Sequence, residues 1–256
     1  MFELLGTNYA RDELRAYVYW PNTNRHVPLE QRTRDMYKPI GGSDGPSFAL
    51  IDDDFARDGR RVYNRGQPIV GADPASFRRL DPEWAVDRAC VYCGSAAVDG
   101  ADPTTLEPLG HGYARDRERA YAHGQAIAAA AHFAVLAPSA YAIDGERAYY
   151  HGEPCAADHQ SLAVIRGSYA RDRDRVYAYG EPIAGAEPQS FELLDENFGR
   201  DARAVYFIRD RIATADRASF RLIPPARQYF GNMIWQAEDD ARYYGIVVPN
   251  LVERLK

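Results

Sequence analysis

Seven times along this chain an aspartate is followed five residues later by a tyrosine. The aspartates are Asp12, Asp58, Asp87, Asp116, Asp144, Asp172 and Asp201, and from Asp58 to Asp201 they recur every 28 or 29 residues. Their partners are Tyr17, Tyr63, Tyr92, Tyr121, Tyr149, Tyr177 and Tyr206. A fixed period of this size is the signature of a repeat architecture, so most of the 256 residues must fold as copies of one small unit. A unit of about 29 residues buries too little apolar surface to offset its own ordering entropy, whereas stacked neighbours complete each other's cores.

The periodic residues describe a β-hairpin. Three residues before each aspartate stands an aromatic: Tyr9, Phe55, Trp84, Tyr113, Tyr141, Tyr169 or Phe198. Two before it stands Ala or Gly, and four after it Ala or Val, directly ahead of the tyrosine. Aspartate opens a turn because its carboxylate accepts backbone N–H groups two residues on. Glycine then tends to follow the tyrosine at the third place, as at Gly66, Gly124, Gly152 and Gly180. Further on, Gly71-Ala72-Asp73-Pro74 recurs as Gly100-Ala101-Asp102-Pro103 and Gly185-Ala186-Glu187-Pro188, which reads as a short capped turn. An apolar pair three apart closes the unit, among them Phe77/Leu80 and Phe191/Leu194, with Phe2/Leu5 in the same series. Periodicity leaves this last piece open between a third strand and a single helical turn, and we expect the strand.

The expected fold is therefore mainly β: about seven tandem hairpin repeats stacked into an open, curved array, with a short C-terminal helix. Three strands per unit, where a propeller blade has four, favour the open array over a closed propeller. The repeat array is expected over residues 1–223, and a degenerate repeat with a cap over 224–256. In that last part Asp239 and Tyr244 echo the pattern, and Asn250 to Lys256 is expected to close the chain as the helix. The first repeat carries about 17 extra residues between about 19 and 45.

Composition narrows the function. Eighteen Tyr against three Met favour strands, and a net charge of −6 with a pI near 5.6 argues against a nucleic-acid surface. The start Met1-Phe2-Glu3-Leu4-Leu5 has neither a basic segment nor an apolar run, so a cytoplasmic location is expected. The longest apolar stretch, Ala126 to Val135, is too short to cross a bilayer.

The unit from Tyr169 to Ile183, with Ala186-Glu187-Pro188-Gln189-Ser190-Phe191 after it, resembles the DKNYY family of bacterial repeat proteins. The likeness covers about residues 2 to 223, with Arg where that family often has Lys and commonly one tyrosine where it has two. The resemblance brings no catalytic residues and no cofactor, and it implies interaction rather than turnover.

Candidate chemistry is sparse. Cys90-x-x-Cys93 would need both thiols on one side to hold a metal, but residues three apart on a strand face opposite ways. His123 and His151 hold equivalent turn positions and are candidates for a stacked, pH-sensitive pair. Asp52-Asp53-Asp54 reads as a solvated acidic turn. A carboxylate present in every unit, such as Asp172 with Arg175, serves the shape of the unit. No catalytic or metal site is therefore expected. The repeated tyrosines, were they exposed, could stack on sugars. The insertion is different, because the repeat does not need it and loops grafted on a rigid scaffold carry function. Tyr19, Trp20, Arg32 and Arg34 are accordingly the expected partner-binding residues. Together these features point to a non-enzymatic protein-binding scaffold, most concretely a bacterial immunity protein that neutralises a toxin. The alternative is a carbohydrate- or envelope-binding module.

Overall fold

A computed structural model describes residues 2–20, 36–223, 229–230, 233–247 and 250–255. They fall into two compact units, residues 1–130 and 131–256, each with four antiparallel sheets in chain order. No helix occurs among the described residues.

Every sheet up to the seventh is a four-stranded meander, one strand more than the spacing suggested. In the sixth the strands are Ala163–Arg166, Tyr169–Arg171, Val176–Ala178 and Glu181–Pro182. In most sheets the extra strand is the two or three residues after the turn, such as Gln67–Pro68, too short to show any periodicity. With four strands per unit, the reason for preferring an open array over a propeller falls away. The expected terminal helix is also corrected. Asn250–Leu255 is a strand along Arg242–Val247, and pairing in register over six residues satisfies its backbone where an isolated helical turn could not. The sheet that holds it, with Asp239 and Tyr244, makes eight sheets where about seven repeats were expected.

The spacing of five between aspartate and tyrosine is a hydrogen bond. Across the hairpin turn the tyrosine hydroxyl donates to the aspartate carboxylate in all eight sheets, from 2.6 Å for Tyr17 to Asp12 to 2.9 Å for Tyr206 to Asp201. In the second sheet, Asp58 Oδ1 accepts the N–H groups of Arg60 and Arg61 at 2.8 Å. Its Oδ2 takes Tyr63 Oη at 2.7 Å and the N–H of Asp44, from the preceding linker, at 3.1 Å. The same reach of 14 residues joins Asp73 to Asp87, Asp102 to Asp116, Asp158 to Asp172 and Glu187 to Asp201. The linker returns the contact: the Oγ of Ser76 accepts the N–H of Arg88, and Ser161 that of Arg173. The two units divide at Ala130, which stands where the other linkers carry Asp or Glu.

Cores lie between successive sheets within each unit. Alternation along a strand sends neighbouring side chains to opposite faces. Phe55 and Val62 therefore pack toward the third sheet with Phe77 and Tyr92, whereas Ala56 and Tyr63 pack toward the first with Tyr9 and Phe48. In the second unit Tyr169 and Val176 face Phe191 and Tyr206, and Ala170 and Tyr177 face Tyr141 and Ala148. The linker phenylalanine wedges between two aromatic rows: Phe48 lies 5.7 Å from Tyr9 and 5.6 Å from Tyr63. Both faces of the inner sheets are thus core, and the alanine two before the aspartate leaves room for the ring.

Burial alone would raise the Asp172 carboxyl, but the backbone N–H of Asp158 and the Tyr177 hydroxyl outweigh it, and it titrates below the usual carboxylate range. The same balance holds at Asp58, Asp87, Asp116, Asp201 and Asp239. Burial and then the carboxylate push the tyrosines up, Tyr149 and Tyr206 to about 12. A lowered acid stabilises the fold above its unfolded pKa, and that stability is lost as pH falls through the folded value. A raised phenol contributes below its unfolded pKa of about 10 and loses that contribution as pH rises through the folded one. Urea unfolding should accordingly show a stability plateau at neutral pH with a fall below about pH 4 and another above about pH 10. Tyr177→Phe removes one bond to a charged acceptor and should cost about 1.5–3 kcal/mol in the same assay at neutral pH.

A candidate partner-binding groove

The two ends of each meander differ in chemistry. The aspartate turn and the linker occupy one end, where the repeated polar groups are bonded to one another. The other end carries the two remaining turns, and there the chain departs from its own repeat. Seven residues after each aspartate come Tyr19, Arg65, Gly94, His123, His151, Tyr179 and Ile208. Their backbone role is constant: the N–H of Arg65 donates to the Asp54 carbonyl at 2.8 Å and that of Tyr179 to Ser168 at 2.9 Å. Most of these residues have positive φ, such as Arg65 at 47°, followed by Gly66 at 78°. Two successive positive φ values make the primed hairpin turn whose twist matches the strands. The backbone is thus fixed while the side chain is left to vary.

In the first unit this end forms a groove of about 520 Å³ between the first and second sheets, lined by Asn8, Val18, Tyr19, Trp20, Asp54 and Arg65. Tyr19 ends the strand Ala16–Tyr19, and Trp20 follows it with its N–H on the Met36 carbonyl at 2.6 Å. The Tyr19 ring meets Tyr37 at 5.6 Å, and its hydroxyl lies 3.5 Å from Met36 Sδ. Trp20 is 55% exposed, with Lys38 Nζ 5.4 Å from its ring centroid. The opposite wall is held by Tyr9, whose hydroxyl donates to the Asp54 carbonyl at 2.6 Å and accepts the Gly66 N–H at 3.1 Å. Burial pushes the Tyr9 phenol up to about 12, so it stays a neutral donor. Asn8 Nδ2 adds a bond to the Asp53 carbonyl at 2.9 Å. Arg65 pairs with Asp54 at 2.9 Å, and Arg79 with Asp52 at 2.7 Å. The groove therefore offers an apolar floor, an exposed indole and charges of both signs on its rim, which is a surface suited to binding.

Of the four expected binding residues, Tyr19 and Trp20 come together here, whereas Arg32 and Arg34 lie outside the described residues. Asn8, Val18, Asp54 and Arg65 were not anticipated. Their signal was present, since Asn8 and Asp54 stand four before an aspartate and Arg65 seven after, at places where the repeat does not hold. The run of acids is not freely solvated: Asp52 caps the N–H groups of Asp54 and Phe55 as well as pairing with Arg79.

The remaining candidates fall into structural roles. Cys90 packs with Phe55 and Phe77 and Cys93 with Trp84 and Val98, on opposite faces of the third sheet. Burial pushes the Cys93 thiol up to about 11, away from the thiolate. Cys155 packs against the Tyr141 and Tyr177 core. His123 Nδ1 lies 3.3 Å from Glu83 Oε2 in the first unit, and His151 stands edge-on to Tyr150 at 4.7 Å in the second. The repeated tyrosines, from Tyr63 to Tyr244, are 0–2% exposed and cannot present a face to a sugar. Among the described residues no group of three or more His, Cys, Asp or Glu is placed to hold a metal, and no helix is long and apolar enough to cross a membrane.

A family model described as the DKNYY family matches the chain three times, at residues 55–169, 84–198 and 169–247, which together cover well over half of it. No curated protein and no solved structure matches the chain. A Cβ on Gly66 would lie 2.7 Å from Val18 Cγ1 in the groove wall. Gly66→Ala should thus destabilise the fold by about 1–3 kcal/mol in urea unfolding, because the turn also demands positive φ.

Proposed function

The chain belongs to the DKNYY family, and from that membership we propose that it is a non-enzymatic scaffold that binds another protein. In its most concrete form it is a bacterial immunity protein acting in the cytoplasm, which neutralises a toxin by covering its active site. The observation that carries this reading is the first-unit groove. In a chain whose repeated tyrosines and aspartates are spent on the fold, Trp20 remains 55% exposed beside Tyr19 and Val18. Large aromatics on a rigid frame, ringed by charges, are what protein interfaces use as anchors. The groove also lies where the first repeat is interrupted by sequence that the unit does not require. Against an enzymatic role stands the recurrence of the carboxylates, since a reacting group is needed once and these aspartates recur in every sheet as turn caps. A net charge of −6 suits a basic partner, brought in by long-range attraction.

The test is co-expression with toxin domains encoded beside the gene, scored by growth rescue and then by measured affinity. Rescue is expected, with Trp20→Ala lowering affinity by at least about 2 kcal/mol, the loss typical of a central aromatic anchor. Full rescue and unchanged affinity after the joint change Tyr19→Ala and Trp20→Ala would place the interface elsewhere.

A further inference from the structure

The second unit holds a different exposed aromatic. Tyr179 is 46% exposed and has φ of 56°, at the turn between Val176–Ala178 and Glu181–Pro182. A bulky residue gains nothing from a left-handed turn, where glycine or asparagine is the cheaper choice. Nor does it gain much from burial here, since nearly half of the residue faces solvent. It is nonetheless held firmly. Its ring lies 6.2 Å from Tyr169 and stands edge-on to Tyr150 at 6.5 Å, and Tyr150 donates its hydroxyl to Ser168 Oγ at 3.0 Å. Tyr150 comes this close because the next residue of the turn is glycine: a Cβ on Gly180 would lie 2.8 Å from Tyr150 Cβ.

The ring borders a pocket of about 290 Å³ completed by Arg166, Ser168, Leu193 and Glu196. Arg166 and Leu193 are shared with an adjoining groove of about 470 Å³ that runs past Glu192. The side chains of Arg166 and Glu196 are exposed, and neither has an ion pair or hydrogen bond among the described residues. We propose that this pocket and its extension form a binding site for a neutral oligosaccharide, with one sugar ring stacked on Tyr179.

The lining selects that class. The site balances two cations, Arg166 and Arg171, against two anions, Glu192 and Glu196, and so favours no net charge, because a charged ligand attracted by one sign is repelled by the other. A neutral ligand whose hydroxyls both donate and accept satisfies Arg166, which only donates, and Glu196, which only accepts. The apolar C–H face of a pyranose matches an exposed aromatic face, and the continuing groove gives a chain of sugars somewhere to lie. The pocket mixes polar and apolar surface, with Tyr179 and Leu193 beside Arg166, Ser168 and Glu196, so a sugar finds both a stacking face and hydrogen-bonding groups. This site is independent of the Trp20 groove, so either can fail without the other.

The experiment titrates the full chain with a panel of neutral tetrasaccharides built from glucose, mannose or N-acetylglucosamine, followed by saturation-transfer NMR and calorimetry. At least one should bind in the millimolar range or tighter. Tyr179→Ala and Arg166→Ala should each weaken it about tenfold, whereas Tyr179→Phe should hold it within about threefold and Trp20→Ala should leave it unchanged. Thermal melting separates these effects from loss of fold, and Arg166→Ala, on an exposed side chain, keeps the test decisive if Tyr179→Ala unfolds. Absence of binding across the panel, binding indifferent to both substitutions, or occupation of the groove by an extended peptide in preference to every sugar would overturn the proposal.

Discussion

A buried carboxylate with four hydrogen bonds is the element around which six of the eight sheets are arranged, while Asp12 and Asp144 keep the turn and tyrosine bonds without the one from a linker. Asp58, Asp87, Asp116, Asp172, Asp201 and Asp239 are 0–7% exposed, a position that an ionised acid tolerates only when its lone pairs are occupied. Here they are occupied by two N–H groups of the turn, one N–H of the linker and one tyrosine hydroxyl. Each bond to a charged acceptor is worth about 1.5–3 kcal/mol, so the set outweighs desolvation and the acid stays ionised. One side chain thereby shapes the turn, anchors the strand that returns from it, and ties the sheet to the linker that precedes it.

The division of labour between the two ends of the sheets follows from this. Because the aspartate end is committed to the fold, it cannot change without loosening a junction. The opposite turns need only a backbone conformation, and their side chains are free to differ. Among the described residues Trp20 in one unit, beside a half-buried Tyr19, and Tyr179 in the other are exposed aromatics of that end. The constraint is not met without cost. Where Tyr9 and Tyr141 reach a carbonyl of the next sheet with their hydroxyls, Trp84 fills the same place with an indole N–H that finds no acceptor. Ile208, a β-branched residue at φ of 54°, is held in its strained turn by packing against the cores on both sides of the seventh sheet.

Much of this was legible in the linear pattern, and the failures have physical causes. Phe55, Val62 and Tyr63 were readable as strand residues of a buried repeat, since alternation and recurrence both mark them. The fourth strand was not, because Glu181–Pro182 is two residues long and a turn of Tyr-Gly disguises its start. Asn250–Leu255 was misread as helical because a short run with apolar residues at both periods does not distinguish the two, and only the neighbouring strand Arg242–Val247 decides. Tyr19 and Trp20 stood out as sequence the repeat did not need. Asn8, Asp54 and Arg65 became groove residues only when the meander brought the first and second sheets together.

The period, the alternating burial and the choice of aspartate and tyrosine at each hairpin are fixed by the order of residues, because these depend on contacts within about 30 residues that every unit repeats. That order also marks the recurring acids as structural. That aspartate and tyrosine bond to each other, that both faces of the inner sheets are covered, and which turn residues share a groove follow from the folded arrangement. Those outcomes rest on distances between sheets, and no spacing along the chain encodes the separation of two backbones that meet face to face.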